Sequence, residues 1–256
     1  VGSSVVELGP GLAVVLVVLV GLAAAAGRVS GLGQERPLVQ AALRATVQLA
    51  VVSVLVVAVV RSLWSSAAFA LVMLVVASAT SAGRVTGRGV RSPGLLRRTA
   101  LLGLPIAAGV LPVLTLVLAS GAVPLRGEAL VPIAGIVIGG TMTATSLAGR
   151  RLLDELEQRA GEVEAALALG LLRRDAVLEV ARPVASTALV PALDQTRTVG
   201  LVTLPGAFVG VLLGGGSAVQ AGAAQLLVLV GLLAAEVVAV WVVTELVAAG
   251  RVRAGG

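Results

Sequence analysis

Apolar residues in this chain gather into seven long runs, at about 9–26, 41–60, 67–83, 99–120, 130–148, 199–216 and 222–248. Each run approaches the ~20 residues that a helix needs to cross a bilayer. Apolar and polar positions do not alternate within them, so they predict spanning helices and not the strands of a barrel. The expected fold is an all-α membrane protein of about seven transmembrane helices, built as one transmembrane domain over residues 1–256. The first run reads as an anchored helix. Glu7 precedes it and Arg28 follows it, whereas a cleaved leader carries its basic residues in front. No Ser/Pro-rich linker or internal repeat is visible, and the lack of an inverted repeat argues against many secondary-transporter folds.

Between the fifth and sixth runs the pattern changes. Leu152, Leu153, Leu156, Ala160, Val163 and Leu167 recur at steps of three and four residues, with Asp154, Glu155, Glu157, Arg159, Glu162 and Glu164 on the opposite face. That spacing predicts an amphipathic helix over 150–169, supported by the i,i+4 pair Glu155 and Arg159. Gly170 is placed to end it. A second helix is expected at about 171–182, with Pro183 marking its end or a kink. The product is a helix–Gly–helix elbow within a polar stretch, about 149–198.

Composition supports the bilayer as solvent. The chain is 58% hydrophobic and 12% charged, against about 25% charged residues in a soluble domain. All nineteen basic residues are arginine. With the N-terminus outside, seventeen of them fall on the inner side, Arg91 included, and only Arg61 and Arg126 fall outside. The positive-inside rule therefore predicts a multi-pass protein of the plasma or inner membrane, with the elbow and the C-terminus cytoplasmic. The arginines sit in short loops and do not form a single basic face, which argues against nucleic acid as a partner. The absence of Cys, His and Lys excludes thiolate metal sites, imidazole relays and the lysine of a P-loop, so the chain is not expected to hydrolyse nucleotide.

The spacing of the elbow carries a resemblance. Glu164-Ala165-Ala166, three residues, Gly170, nine residues, then Val180-Ala181-Arg182-Pro183 resembles the coupling loop of ABC-transporter permeases, with Val180 and Arg182 in place of the usual Ile and Leu. "RATVQL" (44–49), "VPIAGIVIGGTMTATSLAGRRL" (131–152), "ALALG" (166–170) and "ALVPALDQTRTVGLVTLPGAFVGVLLGG" (188–215) together resemble the iron-export ABC permease family typified by FetB. "TVGLVTLPG" at 198–206 is the most specific piece. The resemblance implies a permease subunit that pairs with a second copy of itself and with a separate P-loop ATPase. ATP and Mg would be bound on that partner and no cofactor on this chain. Its implied task is ATP-driven export of iron or another metal ion. Glu164, Ala165, Ala166, Gly170, Arg174 and Pro183 would then form the ATPase-coupling surface. A non-metal cargo such as a nucleotide sugar, or a scaffold without transport, remains the alternative reading.

Residues inside the runs supply candidates for a transport path. Glu236 lies within the seventh run, where a charge at the bilayer centre costs on the order of 2.5–3.5 kcal/mol and marks a pathway or a buried pair. Gln48, Thr141, Met142 and Thr145 complete the set. The metal ligands are not identified: Met73 and Met142 are the only thioethers, and the hydroxyls of Thr141, Thr143, Thr145 and Ser146 suit harder ions. Gln225 reads as inter-helix glue. Glu245 is expected to pair with Arg251, and Asp194 with Arg197. Gly206, Gly210 and Gly214 share a face, as do Gly135 and Gly139; close contacts within the chain are favoured over a dimer seam. A membrane enzyme working through Ser78 and Ser81 is disfavoured, because no paired carboxylates stand at useful spacing.

Overall fold

A computed structural model describes residues 9–89 and 92–253. Glu7 and Arg91, used above for the leader and the charge bias, lie outside the described residues. The described chain is helical, with no strand beyond an isolated bridge between Val199 and Thr203. Seven helical segments are long and apolar enough to cross a membrane. Contacts divide the chain into two compact units, Val1–Val59 and Val60–Gly256.

The first unit is a hairpin of α1 (Pro10–Val29) and α2 (Glu35–Val59). Pro10 occupies the first turn of α1, where its missing N–H leaves no bond unmade. Gly31 and Gly33, both at positive φ, turn the chain between the helices.

The second unit packs α3 (Leu63–Thr86), α4 (Leu95–Ala119), α5 (Gly127–Gln158), α6 (Ala160–Ala168), α7 (Arg173–Ser186), a 3-10 turn (Thr187–Leu189), α8 (Val190–Thr198), α9 (Gly206–Leu213) and α10 (Ala218–Ala248). A capping box starts α10: Gln220 N–H donates to Ser217 Oγ at 3.2 Å, and Ser217 N–H donates to Gln220 Oε1 at 2.9 Å. In lipid no hydrophobic force joins helices, so close packing of small residues and polar bonds must hold them. Both devices are present. A Cβ on Gly109 of α4 would lie 3.0 Å from the Ala235 carbonyl carbon of α10, and one on Gly149 of α5 would lie 2.8 Å from Val85 Cγ2 of α3. Ser146 Oγ donates to Ser81 Oγ across α5 and α3 at 3.1 Å. Ser78 Oγ bonds the Leu74 carbonyl of its own helix, so both serines named above serve structure.

The core forms two clusters. One gathers Ile106, Val110, Ala134, Val137, Ile138 and Ala235. The other joins Ala144, Ala148 and Leu152 of α5 to Val177, Leu178, Ala181 and Ala185 of α7 and to Val243, Leu246 and Val247 of α10. Large apolar side chains on the outer faces, such as Val72, Val76, Leu111 and Leu116, are exposed, as lipid contact requires.

The arginines of this unit separate by end. Where α3, α5 and α10 stop and α4 and α7 begin stand Arg84, Arg88, Arg97, Arg98, Arg150, Arg151, Arg173, Arg174, Arg251 and Arg253. Arg61 and Arg126 stand just before α3 and α5, at the opposite end, and Arg197 joins them there at the end of α8 while Arg182 falls inside the sixth span-length segment, so these two leave the inner side where they were expected.

Three expectations need correction. The sixth crossing is not a continuous helix over 199–216. Gly200 sits at φ +81, its N–H donates to the Thr203 carbonyl at 2.8 Å, and Pro205 precedes α9, which has only eight residues. A helix of that length rises about 12 Å and cannot span. The sixth span-length segment is instead 173–198, comprising α7, the 3-10 turn and α8. The amphipathic stretch 150–169 is likewise not one helix. Its first half continues α5, whose 32 residues rise about 48 Å, well beyond the ~30 Å of a bilayer core. A break at Arg159, with φ −108 and ψ 28, then starts α6. Finally, α7 runs through Pro183 to Ser186 instead of stopping there.

Candidate functional site

Two places in the second unit combine polar chemistry with architecture. The first is a cavity of about 230 Å³ between α5, α8 and α10. Gly139, Gly140 and Thr143 form the α5 wall, Pro191 and Gln195 come from α8, and Glu236 comes from α10. Glu236 is 5% exposed. Among the described residues its carboxylate has no hydrogen-bond or ion-pair partner, so its polarity is directed at the cavity. It lies twelve residues before the end of α10, or about 18 Å along the axis. Gly140 makes the approach of α10 possible. A Cβ there would stand 2.8 Å from Glu236 Oε1 and 2.5 Å from Leu232 Cδ1. Nothing lies within 4 Å of a Cβ on Gly139, which faces the open space.

The other path candidates scatter. Gln48 is an exposed residue of α2 in the first unit. Thr141 and Thr145 are fully buried on a different face of α5: Thr145 Oγ1 donates to the Thr141 carbonyl at 2.8 Å, while Thr141 Oγ1 is buried with no hydrogen-bond partner among the described residues. Met142 packs beside the cluster containing Ile106 and Val137. Gln225 does act as glue, its Oε1 accepting from Phe208 N–H at 3.2 Å and tying α9 to α10. A Cβ on Gly206 or Gly210 would meet nothing within 4 Å among the described residues, against the expected close contact. Asp194 and Arg197 do pair, at 3.6 Å, but they sit on α8 beside the cavity-lining Gln195 and not on the arginine-rich end. Sequence reading missed Gln195 as a cavity residue. The Gly139–Gly140 pair followed by Thr143 was the available signal for the opposite wall.

The second place is the elbow. α6 carries Glu164, Ala165 and Ala166, with Glu164 and Ala165 exposed. Gly170 turns the chain at φ +91, where only glycine is free of strain. Gly170 N–H donates to the Leu167 carbonyl at 2.9 Å, and Leu171 N–H to that of Ala166 at 3.2 Å. Then α7, which opens the sixth span-length segment, packs its Ala176, Val177, Val180 and Ala181 inward; Arg182 and Pro183 are exposed but lie inside that segment, so the polar loop expected over 149–198 ends before Arg173. Arg174 is the anchor: Nη2 lies 2.7 Å from Glu245 Oε1, and Nε lies 2.9 Å from Oε2. This bidentate pair replaces the expected Glu245–Arg251 contact. At the head of α6, Arg159 bridges Glu155 at 3.5 Å and also grips Glu162, with Nε 2.7 Å from Oε1. The Arg159 hydrogen bond holds the Glu162 carboxyl below its ordinary value.

Among the described residues no group of three or more His, Cys, Asp or Glu is placed to hold a metal ion. The cavity offers one carboxylate, an amide and a hydroxyl, which can bind and orient a cargo but form no closed ligand shell.

Seven span-length apolar helices, with a mostly apolar cavity between three of the helices that holds one buried carboxylate, define a multi-pass membrane protein of permease type. Residues 11–250 match the family described as "Uncharacterised protein family (UPF0014)", and the chain belongs to that family. It is 31% identical over 221 residues to UPF0014 membrane protein STAR2 of Oryza sativa subsp. japonica, covering 86% of this chain and 75% of that one. It is 35% identical over 141 residues to Protein ALUMINUM SENSITIVE 3 of Arabidopsis thaliana, covering 55% and 52%. It is 30% identical over 134 residues to Probable iron export permease protein FetB of Escherichia coli (strain K12), covering 51% and 49%. The matched region thus spans about half the length of the Arabidopsis and E. coli relatives. No solved structure matches the chain.

Proposed function

We propose that this chain is the membrane subunit of an ABC-type exporter, moving a metal ion past Glu236 under the drive of a separate P-loop ATPase. The observation that carries the reading is mechanical. The elbow is fastened through Arg174 to Glu245, and Glu245 stands nine residues from Glu236 on the same helix. A partner that grips α6 and rotates α7 therefore pulls on the helix that carries the buried carboxylate. The name of one relative, Probable iron export permease protein FetB, supports transport and metal as cargo. ATP and Mg belong to the partner ATPase in this scheme.

A pair of permease chains, as in the resemblance, would close the open side of the cavity and place the path between them. The end carrying most of the arginines would face the cytoplasm, with the N-terminus outside. A second reading, export of a non-metal cargo, rests on the single carboxylate of the cavity, which is fewer ligands than a bare multivalent ion takes.

The test is co-purification of a P-loop ATPase with the full chain, followed by ATPase stimulation and metal flux in inverted vesicles. Combining Glu164→Arg with Gly170→Trp should abolish stimulation while the permease stays folded. Stimulation that survives this double change removes the coupling role of the elbow. Intact stimulation without metal flux moves the cargo to the second reading.

A further inference from the structure

At the arginine-rich end of the second unit, the ends of α3, α4 and α10 enclose a cavity of about 510 Å³ that is separate from the Glu236 site. Arg88, Arg97, Arg98, Arg251 and Arg253 line it, and no carboxylate is among its described lining residues. The guanidinium groups of Arg97, Arg98, Arg251 and Arg253 gather here with no carboxylate among the described lining residues; they repel one another, and an anion among them relieves that repulsion. Local structure accounts for some of them. Arg98 Nη1 donates to Thr86 Oγ1 at 3.2 Å and Nη2 to the Ser92 carbonyl at 3.3 Å, which fixes that guanidinium in place. Arg253 Nε donates to the Gly250 carbonyl at 3.1 Å, beside the end of α10. The side chains of Arg97 and Arg251 make no hydrogen bond or ion pair among the described residues. Planar guanidinium groups held in this way match the oxygens of a phosphate.

The surroundings say which phosphate. Arg97 and Leu101 line the cavity, and Leu104, Ala108 and Leu111 continue the same stripe of α4 at steps of three and four residues. Leu104 is 51% exposed and Leu111 55%. A charged pocket at the head of a span thus opens onto an apolar rail running along that span. We propose that this cavity binds the phosphate headgroup of an anionic phospholipid, with an acyl chain laid along α4. Basic pockets between helix ends are suited to such headgroups. The site is independent of the cargo the chain moves.

The full chain, purified in neutral detergent and exposed to vesicles of equal phosphatidylglycerol and phosphatidylcholine, should retain phosphatidylglycerol selectively by native mass spectrometry. Arg97→Gln with Arg251→Gln should weaken that retention about 30-fold. Lysine at both positions should keep most of it, and Arg61→Gln with Arg126→Gln at the opposite end should leave it unchanged. If the double glutamine variant does not fold, Arg97→Gln alone decides, with about fivefold weaker retention expected. Equal retention of both lipids, or full retention in the glutamine variant, overturns the proposal. Complete displacement of the lipid by millimolar inorganic phosphate at constant ionic strength also overturns it, and assigns the cavity to a soluble phosphate.

Discussion

Replacing Gly109 by alanine adds one methyl group where α4 meets α10. That methyl would stand 3.0 Å from the carbonyl carbon of Ala235 and 3.2 Å from its Cα. Both are backbone atoms of a helix, so no side chain can swing aside and α10 itself must yield. Overpacking of this kind costs about 1–3 kcal/mol, against up to about 1 kcal/mol returned by the better helix propensity of alanine. The net expectation is a loss of about 1–2 kcal/mol, or about 2–8 °C in thermal midpoint for a unit of this size. Gly139→Ala is the matched control. Its methyl meets nothing within 4 Å, so only the propensity gain of up to about 1 kcal/mol remains. Circular-dichroism melts of the two variants in one detergent should therefore move in opposite directions. If Gly109→Ala melts at or above the unmodified chain, the α4–α10 contact is not tight and the small-residue packing argued for this pair fails. Because Ala235 precedes Glu236, the same variant should also lower flux through the cavity.

Glu236→Gln should leave the melt nearly unchanged, because the carboxylate bonds to nothing among the described residues, and should reduce transport at least about tenfold if the cargo is a cation. Vesicle flux beside a melt checks both halves. Arg174→Ala should leave the melt nearly unchanged, since the pair with Glu245 is partly exposed, yet should uncouple ATP hydrolysis from flux. Gly170→Ala should cost about 1–2 kcal/mol through backbone strain alone, because nothing crowds the added methyl. The Glu162 carboxyl is held below its ordinary 4.5, so its contact with Arg159 contributes fully above that pH and is lost as the pH falls through the depressed value. Amide protection in α6, corrected for the intrinsic pH dependence of exchange, should fall over that acidic window and stay flat at neutral pH.

Hydropathy alone located six of the seven crossings, because each contains a stretch of about 18 residues that is apolar and nearly free of charge. The sixth misled for a physical reason. Residues 199–216 are more apolar than 173–198, but Gly200 and Pro205 break the backbone there. In α7, by contrast, Arg173, Arg174, Asp175, Glu179 and Arg182 mask a helix whose inner face is Ala176, Val177, Val180 and Ala181. Glu236 was legible as a carboxylate in an apolar run, and the elbow as a pattern of alanines, a glycine and a proline. Gln195 and the arginine pocket were not legible, because each depends on helices far apart in the chain. The Arg174–Glu245 pair is 71 residues apart, and no local spacing announces it.

The interruption between α8 and α9 bears on how the chain is made. A translocon releases a nascent segment into lipid when its peptide groups are satisfied internally, which a helix achieves alone. The piece from Val199 to Leu213 does not: Gly200 and Pro205 interrupt the helical ladder, and Phe208 N–H is shared between the Pro205 carbonyl at 3.0 Å and Gln225 Oε1 at 3.2 Å, the latter in a helix synthesised later. This piece should therefore wait in the aqueous channel until the first turns of α10 emerge, and the two should be released into lipid together as a hairpin.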